Sequence, residues 1–330
     1  MKGLHYIGNR QAKIREMEIP RPKPKEVLIE VTLSALCGSE RNDYEQGCSF
    51  VSGHEFVGIV REAKNCRESK PGNRVAVNVI KGCGKCYYCR MGKSQFCESM
   101  IICQGGHAEY VCVPEECCLE IPEDVEDRAA VLLGGDTLGV AYRAVQKLPA
   151  GMGRVALVIG AGPIGLGAVS LLKYYGYYVV VWEMNPVRRK YALLTGADEA
   201  MDSVDLNSEQ RIKELTNRLG ADVVLECSGN PVGQKNALHA VRPEGTVVFC
   251  GENYKGLTIV PSEDIIHKEI TLTGAFYFTG QDFYCLCELY RRGFEPGKAV
   301  SHIWNLAEAP LACKMFFEGK TGKVLLERKV

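Results

Sequence analysis

Four cysteines lie close together in the first third of the chain, on a stretch that also contains several glycines. They follow the pattern C-x2-C-x2-C-x7-C and are Cys83, Cys86, Cys89 and Cys97. Four thiolates so spaced can surround one zinc ion, and a site filled by four protein ligands has no open position for a substrate. Iron–sulfur clusters use related spacings, but their usual motif has a shorter fourth interval followed by proline. Two disulfides would need an oxidising compartment. The pattern therefore indicates a structural zinc.

A second group of possible metal ligands lies upstream of these cysteines. Cys37 begins the sequence Cys-Gly-Ser39, and His54 and Glu55 follow a glycine. Thiolate, imidazole and carboxylate are the ligands that a catalytic zinc uses while it keeps a fourth position for water or substrate. A single cysteine is often just a small buried side chain, and His-Glu pairs are common on surfaces. The residues alone therefore leave a metal site and an ordinary structural role both open.

A glycine-rich turn in the second half of the chain matches the pattern G-x-G-x-x-G. The turn contains Gly160, Gly162, Pro163, Ile164 and Gly165. An apolar run precedes it and a helix-like stretch follows, so that a pyrophosphate could approach the backbone at a helix N-terminus. Glu183 ends the next apolar run and can bind the ribose hydroxyls, which favours NAD over NADP. Arg188 and Arg189 lie just behind it, where an arginine can instead hold the 2′-phosphate of NADP.

The elements that must hold these residues change in character near residue 150. Before it, short β-branched runs separated by Pro or Gly predict strands at residues 27–33, 56–60, 74–79 and 108–113. After it, apolar runs predict strands at residues 155–159, 178–182, 223–225 and 246–250. Helix-like stretches alternate with them at residues 163–175, 210–219 and 232–240, and one more follows at 306–317. This alternation predicts a doubly wound parallel sheet after a β-rich barrel or sandwich.

Length and composition exclude several classes of function. At 330 residues the chain exceeds the size at which single cores stop growing, so two domains are expected. With 40 basic and 40 acidic residues it lacks the basic excess of a nucleic-acid or membrane-surface protein. No apolar run is long enough for a membrane span, and the N-terminus lacks the apolar core of a signal peptide. We therefore expect a cytoplasmic protein whose clustered cysteines, among 16 in all, serve metal binding.

Taken in order, the motifs resemble those of the zinc-dependent medium-chain dehydrogenases of the alcohol dehydrogenase superfamily. The motifs are Cys37-Gly-Ser39, Gly53-His54-Glu55, the four-cysteine loop, residues 105–110, residues 160–165 and the closing residues 322–326. The resemblance implies an α/β protein with a GroES-like catalytic domain at residues 1–142, completed by residues 277–330. A Rossmann domain that binds NAD would occupy residues 143–276. Within the superfamily the chain is most similar to the polyol branch, with sorbitol and polyol-phosphate dehydrogenases, and to threonine dehydrogenase.

The resemblance also implies roles for the second ligand group. Cys37, His54 and Glu55 would hold a catalytic zinc, so that two zinc ions are expected per chain. Asp136 stands where the polyol branch has an acidic residue, bound directly or through water, although an aspartate there could also cap a helix. Ser39 would take the alcohol proton and pass it to the cofactor ribose, or cap a helix near Glu40. With Glu55 and Asp136, it forms the expected catalytic group.

Two residues depart from the family pattern, one in the route of the proton and one at the substrate. Asn42 replaces a histidine that often completes proton release, so the proton would leave through Asp43, Glu45 or solvent. Tyr277 stands where sorbitol dehydrogenases usually have an arginine, which disfavours sorbitol itself. We therefore expect hydride transfer between NAD and a secondary alcohol of a polyol, a polyol phosphate or a cyclitol. L-Threonine 3-dehydrogenase or another secondary-alcohol dehydrogenase is the alternative.

Outside this class, the four-cysteine loop would be a zinc ribbon for nucleic acid. Lys81, Lys85, Arg90 and Lys93, interleaved with Tyr87 and Tyr88, offer it limited support. The second ligand group and the nucleotide-binding turn oppose it, so we expect a small-molecule substrate and neither a nucleic-acid nor a membrane partner. Relatives pair their nucleotide domains edge to edge, and the strand-like residues 269–274 could do so in a homodimer or homotetramer.

Overall fold

The structure is a computed structural model that describes residues 1–151 and 153–328. The chain divides into two compact units. The first unit contains Met1–Gly139, Phe278–Gly293 and Val300–Val330, and the second contains Val140–Tyr277 and Phe294–Ala299. Among the described residues, no helix is both long and apolar enough to cross a membrane.

Strands and helices follow one another in the order that the sequence predicts, first β-rich and then alternating. The strands are β1 (Lys2–Gly8), β2 (Gln11–Glu16), β3 (Glu26–Ala35), β4 (Phe56–Lys64), β5 (Arg74–Val77), β6 (Ile80–Lys81), β7 (Ile101–Ile102), β8 (Tyr110–Pro114), β9 (Cys118–Glu120), β10 (Val155–Ile159), β11 (Tyr178–Trp182), β12 (Glu199–Met201), β13 (Ala221–Glu226), β14 (Val241–Phe249), β15 (Thr271–Gly274), β16 (Val300–Asn305) and β17 (Lys323–Glu327). The α-helices are α1 (Arg41–Gln46), α2 (Tyr87–Arg90), α3 (Asp127–Leu133), α4 (Asp136–Val145), α5 (Pro163–Tyr174), α6 (Pro186–Thr195), α7 (Leu206–Leu215), α8 (Pro231–Ala240), α9 (Pro261–Asp264), α10 (Gly280–Arg291) and α11 (Ala309–Phe317). Short 3₁₀ helices lie at Gly38–Glu40, Ser94–Phe96, Glu115–Cys117, Ile266–Lys268, Pro296–Ala299 and Leu306–Glu308.

The first unit is built around a sheet of seven described strands. Their order is β16, β17, β3, β4, β5 and β9, and β8 pairs with β3 as well. Val27, Ile29 and Val31 alternate along β3 and pack with Phe56 into one buried core, because successive side chains of a strand point to opposite faces. The antiparallel pairing of β3 with β4 and with β17 brings the ends of distant chain segments together. Cys37 follows the end of β3, and His54 and Glu55 precede the start of β4.

The second unit contains a parallel sheet of six strands in the order β12, β11, β10, β13, β14 and β15. This is the 3-2-1-4-5-6 order of dinucleotide-binding sheets. Every residue of β10 is buried, which explains why the strand reads as a continuous apolar run. The predicted fold class, an α/β chain with a GroES-like unit and a Rossmann sheet, is confirmed.

One predicted helix differs from the structure by several residues. The apolar pattern predicts a helix at residues 210–219, whereas α7 runs from Leu206 to Leu215. The helix begins early because the Asp205 carboxylate accepts a hydrogen bond from the Asn207 amide at 2.9 Å. It ends early because Asn217 and Arg218 adopt φ angles of 51° and 69°, which no α-helix accommodates.

Candidate metal centres and cofactor site

The four-cysteine loop brings all four of its predicted ligands together. The sulfur atoms of the four lie within 4.8 Å of one another. Pairing of β6 with β7 closes the base of the loop, and α2 lies inside it. Sulfur ligands about 2.3 Å from a tetrahedral zinc stand about 3.8 Å apart, so this donor set fits a zinc ion.

Backbone amide groups within the loop point at the sulfur atoms. The amide of Cys83 donates to the sulfur of Cys97 at 3.4 Å, and that of Cys86 donates to the sulfur of Cys83 at 3.4 Å. Hydrogen bonds from the amides of Lys85 and Cys86 lower the pKa of Cys83 to about 6. A Cβ on Gly82 would lie 2.4 Å from the sulfur of Cys89, so only glycine leaves room for that ligand. The amide groups therefore favour the thiolate form of Cys83, which is the form that binds zinc.

The second group of predicted ligands also converges, and all four residues are buried. Ligand atoms of Cys37, His54, Glu55 and Asp136 lie within 4.8 Å of one another. Cys37 follows β3, His54 and Glu55 precede β4, and Asp136 is the first residue of α4. The amide of Ala35 donates to the carbonyl of Glu55 at 2.9 Å, so the β3–β4 pairing itself fixes the approach of the first three.

The distances between the ligand atoms of this group suit binding of one metal ion. His54 Nε2 lies 3.3 Å from an oxygen of Asp136, and Cys37 Sγ lies 3.9 Å from the same oxygen. Burial alone lowers the pKa of His54, but the adjacent Cys37 and Asp136 outweigh it and raise that pKa well above its ordinary value. The hydroxyl of Ser39 lies 3.3 Å from both Cys37 Sγ and His54 Nε2. A thiolate, an imidazole and a carboxylate concentrated in a buried place fit a zinc ion.

Glu55 differs from the other members because a buried lysine holds one of its oxygens. Lys323 Nζ lies 2.6 Å from Glu55 Oε1 and donates to the carbonyl of Leu36 at 2.9 Å. The other oxygen lies 3.5 Å from the hydroxyl of Thr137, and a Cβ on Gly135 would approach that oxygen to 2.3 Å. Burial raises the pKa of Glu55, although Lys323 opposes this. Oε1 of Glu55 is thus held by Lys323, and Oε2, beside Thr137, is the oxygen that could bind a metal ion.

Glu40 contacts the second ligand group through His54. The sequence alone did not identify it as a site residue. One of its oxygens lies 3.5 Å from His54 Nδ1, and the other lies 3.1 Å from His107 Nε2. The hydroxyl of Tyr6 donates to Glu40 at 2.6 Å, and Ser34 lies 2.8 Å from the other nitrogen of His107. Burial raises the pKa of Glu40, but the histidines outweigh it and lower that pKa to about 2. Its position three residues after Cys37 is the feature of the sequence that could have indicated a role in the site.

In the second unit, the glycine-rich turn joins β10 to α5, and Glu183 lies against it. Gly160 has a φ of 91°, and a Cβ on Gly165 would lie 1.9 Å from the carbonyl of Gly160. A Cβ on Gly162 would meet nothing within 4 Å, so the backbone is open to a ligand there. Pro163 and Ile164 begin α5, a twelve-residue helix whose N-terminal end attracts an anion. The residues therefore fit the pyrophosphate of a dinucleotide.

The carboxylate of Glu183 binds the turn directly. One oxygen accepts from the amide of Ala161 at 2.8 Å, and the other accepts from the amide of Asn185 at 2.8 Å. Arg189 donates to the carbonyls of Glu183 and Met184 and lies 3.0 Å from a carboxylate oxygen of Asp202. Arg188 is half-buried on α6. These contacts hold Arg189 against the protein backbone and Asp202, and Arg188 stays a predicted cofactor contact.

Comparisons with known proteins agree with this arrangement. Residues 23–123 match the alcohol dehydrogenase GroES-like domain, and residues 163–292 match the zinc-binding dehydrogenase family. An uncharacterized zinc-type alcohol dehydrogenase-like protein of Escherichia coli K12 is 31% identical, over 99% of this chain and 98% of that protein. The chain belongs to the zinc-type alcohol dehydrogenase family. Enzymes of this family are oxidoreductases whose cofactors are zinc and a nicotinamide dinucleotide.

Other members of the zinc-type alcohol dehydrogenase family are similar over nearly the whole chain. Sorbitol dehydrogenase of Halalkalibacterium halodurans is 30% identical, with 99% of this chain and 98% of that protein covered. L-Threonine 3-dehydrogenase of Pyrococcus horikoshii is 30% identical, with 96% of this chain and 95% of that protein covered. The structure of alcohol dehydrogenase TADH from Thermus sp. ATN1 matches with a TM-score of 0.90 at 27% identity, over 100% of both chains. An Escherichia coli CFT073 alcohol dehydrogenase complexed with NADH matches with a TM-score of 0.88 at 27% identity, over 99% of both chains.

Proposed function

We propose that this family member transfers a hydride between NAD and a secondary alcohol of a polyol, a polyol phosphate or a cyclitol. The observation that carries the proposal is the position of Asp136, whose carboxylate lies 3.3 Å from His54 and 3.9 Å from Cys37. An acidic residue at that position resembles the polyol branch, and sorbitol dehydrogenase is among the similar proteins. Tyr277, in place of the arginine usual in sorbitol dehydrogenases, favours a polyol other than sorbitol.

The buried residues of the first unit would bind the catalytic zinc and accept the substrate proton. Cys37, His54 and Asp136, with the Oε2 oxygen of Glu55, would hold the catalytic zinc. When bound, that zinc supplies Lewis-acid polarisation of the substrate hydroxyl, and the nicotinamide supplies the hydride acceptor. The Ser39 hydroxyl lies beside both Cys37 and His54, where it can accept the proton of a bound alcohol.

The proton must then leave by a route that does not use Asn42, because an amide does not titrate. Asn42 is exposed on α1, and Asp43 beside it is half-buried. Burial raises the pKa of Asp43 above its ordinary value, which suits a group that accepts and releases a proton. Glu45 lies 3.3 Å from Arg10, in an ion pair on the surface of the first unit. We therefore favour Asp43 for this step.

In the second unit, the glycine-rich turn would hold NAD. Glu183 is the residue that supports NAD over NADP, since its carboxylate lies at the turn and would repel a 2′-phosphate. Gly160, Gly162 and Gly165, with Pro163 and Ile164 at the start of α5, would surround the pyrophosphate. Arg188 would contact the cofactor from α6.

Oxidation of L-threonine is the second candidate, because L-threonine 3-dehydrogenase of Pyrococcus horikoshii is 30% identical to this chain. One experiment separates the candidates: measure zinc content, then NADH formation with polyols, polyol phosphates, cyclitols and L-threonine. The first proposal expects turnover with at least one polyol-type substrate and none with L-threonine. Turnover with L-threonine alone would transfer the assignment to the second candidate. Activity that survives in Cys37→Ala would contradict the assigned zinc site itself.

A homodimer or homotetramer forms part of the proposal. β15 is an edge strand of the parallel sheet and is largely exposed or half-buried. An unpaired edge can pair with the same edge of a second copy. Light scattering on the purified chain tests this, and a monomer at micromolar concentration would contradict it.

A further inference from the structure

Outside the two metal centres, the first unit contains two cysteines whose sulfur atoms are close together. Cys103 Sγ and Cys117 Sγ lie 3.9 Å apart. Cys117 is fully buried in the 3₁₀ helix before β9, whereas Cys103 is half-buried and directly follows the exposed residues of β7. The geometry points to a reversible oxidation site, in which a hydroperoxide oxidises Cys103 and Cys117 then closes a disulfide with it.

The backbone holds both cysteines against the same short segment. The amide of Cys103 donates to the carbonyl of Val79 at 2.9 Å, and the carbonyl of Cys117 accepts from the amide of Asn78 at 2.9 Å. The two residues are therefore anchored on adjacent positions of one strand end, and their side chains meet there. A disulfide needs sulfur atoms about 2.05 Å apart, so rotation of the side chains must close the remaining gap.

The two sulfurs differ in the way that a sensing thiol and a resolving thiol should differ. The contact with Cys117 lowers the pKa of Cys103 against the opposing effect of burial, and Lys81 acts in the same direction as Cys117. The same contact and burial raise the pKa of Cys117. Thiolate character, access to solvent and a neighbouring thiol are the properties that make a cysteine susceptible to oxidation. Cys103 combines all three, and Cys117 supplies the second thiol.

The reaction consumes one hydroperoxide for each disulfide. The Cys103 thiolate attacks one oxygen of hydrogen peroxide, the O–O bond breaks, and a sulfenic acid forms as hydroxide leaves. The Cys117 sulfur then attacks the Cys103 sulfur, the S–O bond breaks, and the hydroxyl leaves with the Cys117 proton as water. Two electrons pass from the two sulfurs to the peroxide, and a dithiol reductant reverses the change.

The closed disulfide would join residue 103 to residue 117 around β8. Cys103 lies four residues before His107, whose amide donates to the carbonyl of Ser52 at 2.9 Å and whose ring contacts Glu40. It also lies directly after β7, at the base of the four-cysteine loop. The oxidation site is thus connected through short chain segments to both metal centres, although its chemistry depends on neither and does not rest on the proposed substrate.

Peptide mapping of the zinc-loaded protein tests the proposal. The protein is treated with rising concentrations of hydrogen peroxide, its free thiols are blocked with N-ethylmaleimide, and the digest is analysed by mass spectrometry. We expect a disulfide between Cys103 and Cys117 to form first and to disappear with dithiothreitol. Its two sulfurs should carry no N-ethylmaleimide, and the pair should weigh about 2 Da less than two free thiols because two hydrogens are lost. Zinc content is measured in the same samples. A disulfide of Cys103 with Cys66 or Cys118, or one that forms only after zinc is lost, would overturn the proposal.

Two variants sharpen the result. In Cys117→Ser the disulfide should be abolished, and the sulfenic acid of Cys103 should persist long enough to be trapped by dimedone. Cys112→Ser is the matched control, because Cys112 is half-buried on β8 and burial raises its pKa to about 11. This control should form the disulfide at the wild-type peroxide concentration. Oxidation of Cys112 before Cys103 in the wild-type protein contradicts the proposal even if Cys117→Ser fails to fold.

Discussion

Lys323 Nζ lies 2.6 Å from Glu55 Oε1, and both side chains are completely buried. The lysine is the first residue of β17, and the glutamate directly precedes β4. The positive charge of Lys323 offsets part of the free-energy cost of burying the Glu55 carboxylate. That carboxylate lies beside Cys37, His54 and Asp136. The same ion pair fixes Oε1, while Oε2 lies 3.5 Å from the hydroxyl of Thr137, the residue that follows Asp136.

Removing the lysine charge should therefore destabilise the fold. In Lys323→Met the buried carboxylate of Glu55 loses its partner lysine, which costs about 3–5 kcal/mol of unfolding free energy. Chemical denaturation at pH 7 measures the loss, and Lys320→Met, at an exposed lysine paired with Glu318, is the matched control. The double variant Lys323→Met/Glu55→Gln should recover part of the loss. Losses that simply add would show that the two side chains do not interact.

The local motifs of the site could be predicted from sequence, whereas its long-range supports could not. Cys83 and Cys97 lie fourteen residues apart on one loop, so their spacing alone indicates a shared ion. Lys323 reaches Glu55 only because β17 pairs antiparallel with β3, with Leu325 opposite Ala35. That pairing depends on how distant segments pack, and no local pattern encodes it.

Glu40 illustrates the same difference at shorter range. Its position after Cys37 suggested at most the start of a helix, but the carboxylate faces His54 and His107 in the buried interior. The second contact joins segments 67 residues apart. In the second unit, the predicted helix at 210–219 was misplaced because a cap at Asp205 and left-handed residues after Leu215 outweigh the apolar pattern.

Loss of one loop cysteine should remove one zinc and leave the other. In Cys83→Ser the remaining three sulfurs cannot complete the tetrahedral set, so zinc content should fall from about two to about one per chain. Because structural zinc contributes to folding, the thermal midpoint should fall as well. Atomic emission spectroscopy and calorimetry measure both. Cys285→Ser, on α10, is the control and should keep both ions; a Cys83→Ser protein with full zinc content would refute the site.

The cofactor preference should depend on Glu183. In Glu183→Ala the turn loses two hydrogen bonds from backbone amides, and the negative charge that repels a 2′-phosphate is gone. Since a hydrogen bond to a charged group contributes about 1.5–3 kcal/mol, NAD affinity should fall about 10- to 100-fold while discrimination against NADP shrinks. Fluorescence titration with both cofactors measures this. Glu209→Ala, an exposed glutamate of the same unit, should bind NAD as the wild type does.

Stability in acid should depend on Glu30. Burial raises the pKa of Glu30, but Arg61 and Arg328 outweigh it, and the pKa lies below its ordinary 4.5. A lowered folded-state pKa means that the charged form stabilises the fold above about pH 4.5 and that this contribution is lost as the pH falls further. Glu30→Gln should cost about 1–2 kcal/mol at pH 7 and progressively less below pH 4.5. Urea titrations across this range measure the difference, and a difference independent of pH would contradict the assigned ion pairs.

Proton transfer should depend on the hydroxyl of Ser39, which lies 3.3 Å from both Cys37 and His54. In Ser39→Ala the alcohol proton loses its first acceptor, so kcat should fall about 10²- to 10⁴-fold. Zinc content should stay at the wild-type value, because the hydroxyl is not among the proposed zinc ligands. Ser39→Thr keeps the hydroxyl and should retain most of the activity. Equal losses in the alanine and threonine variants would mean that the position matters for packing and not for the proton.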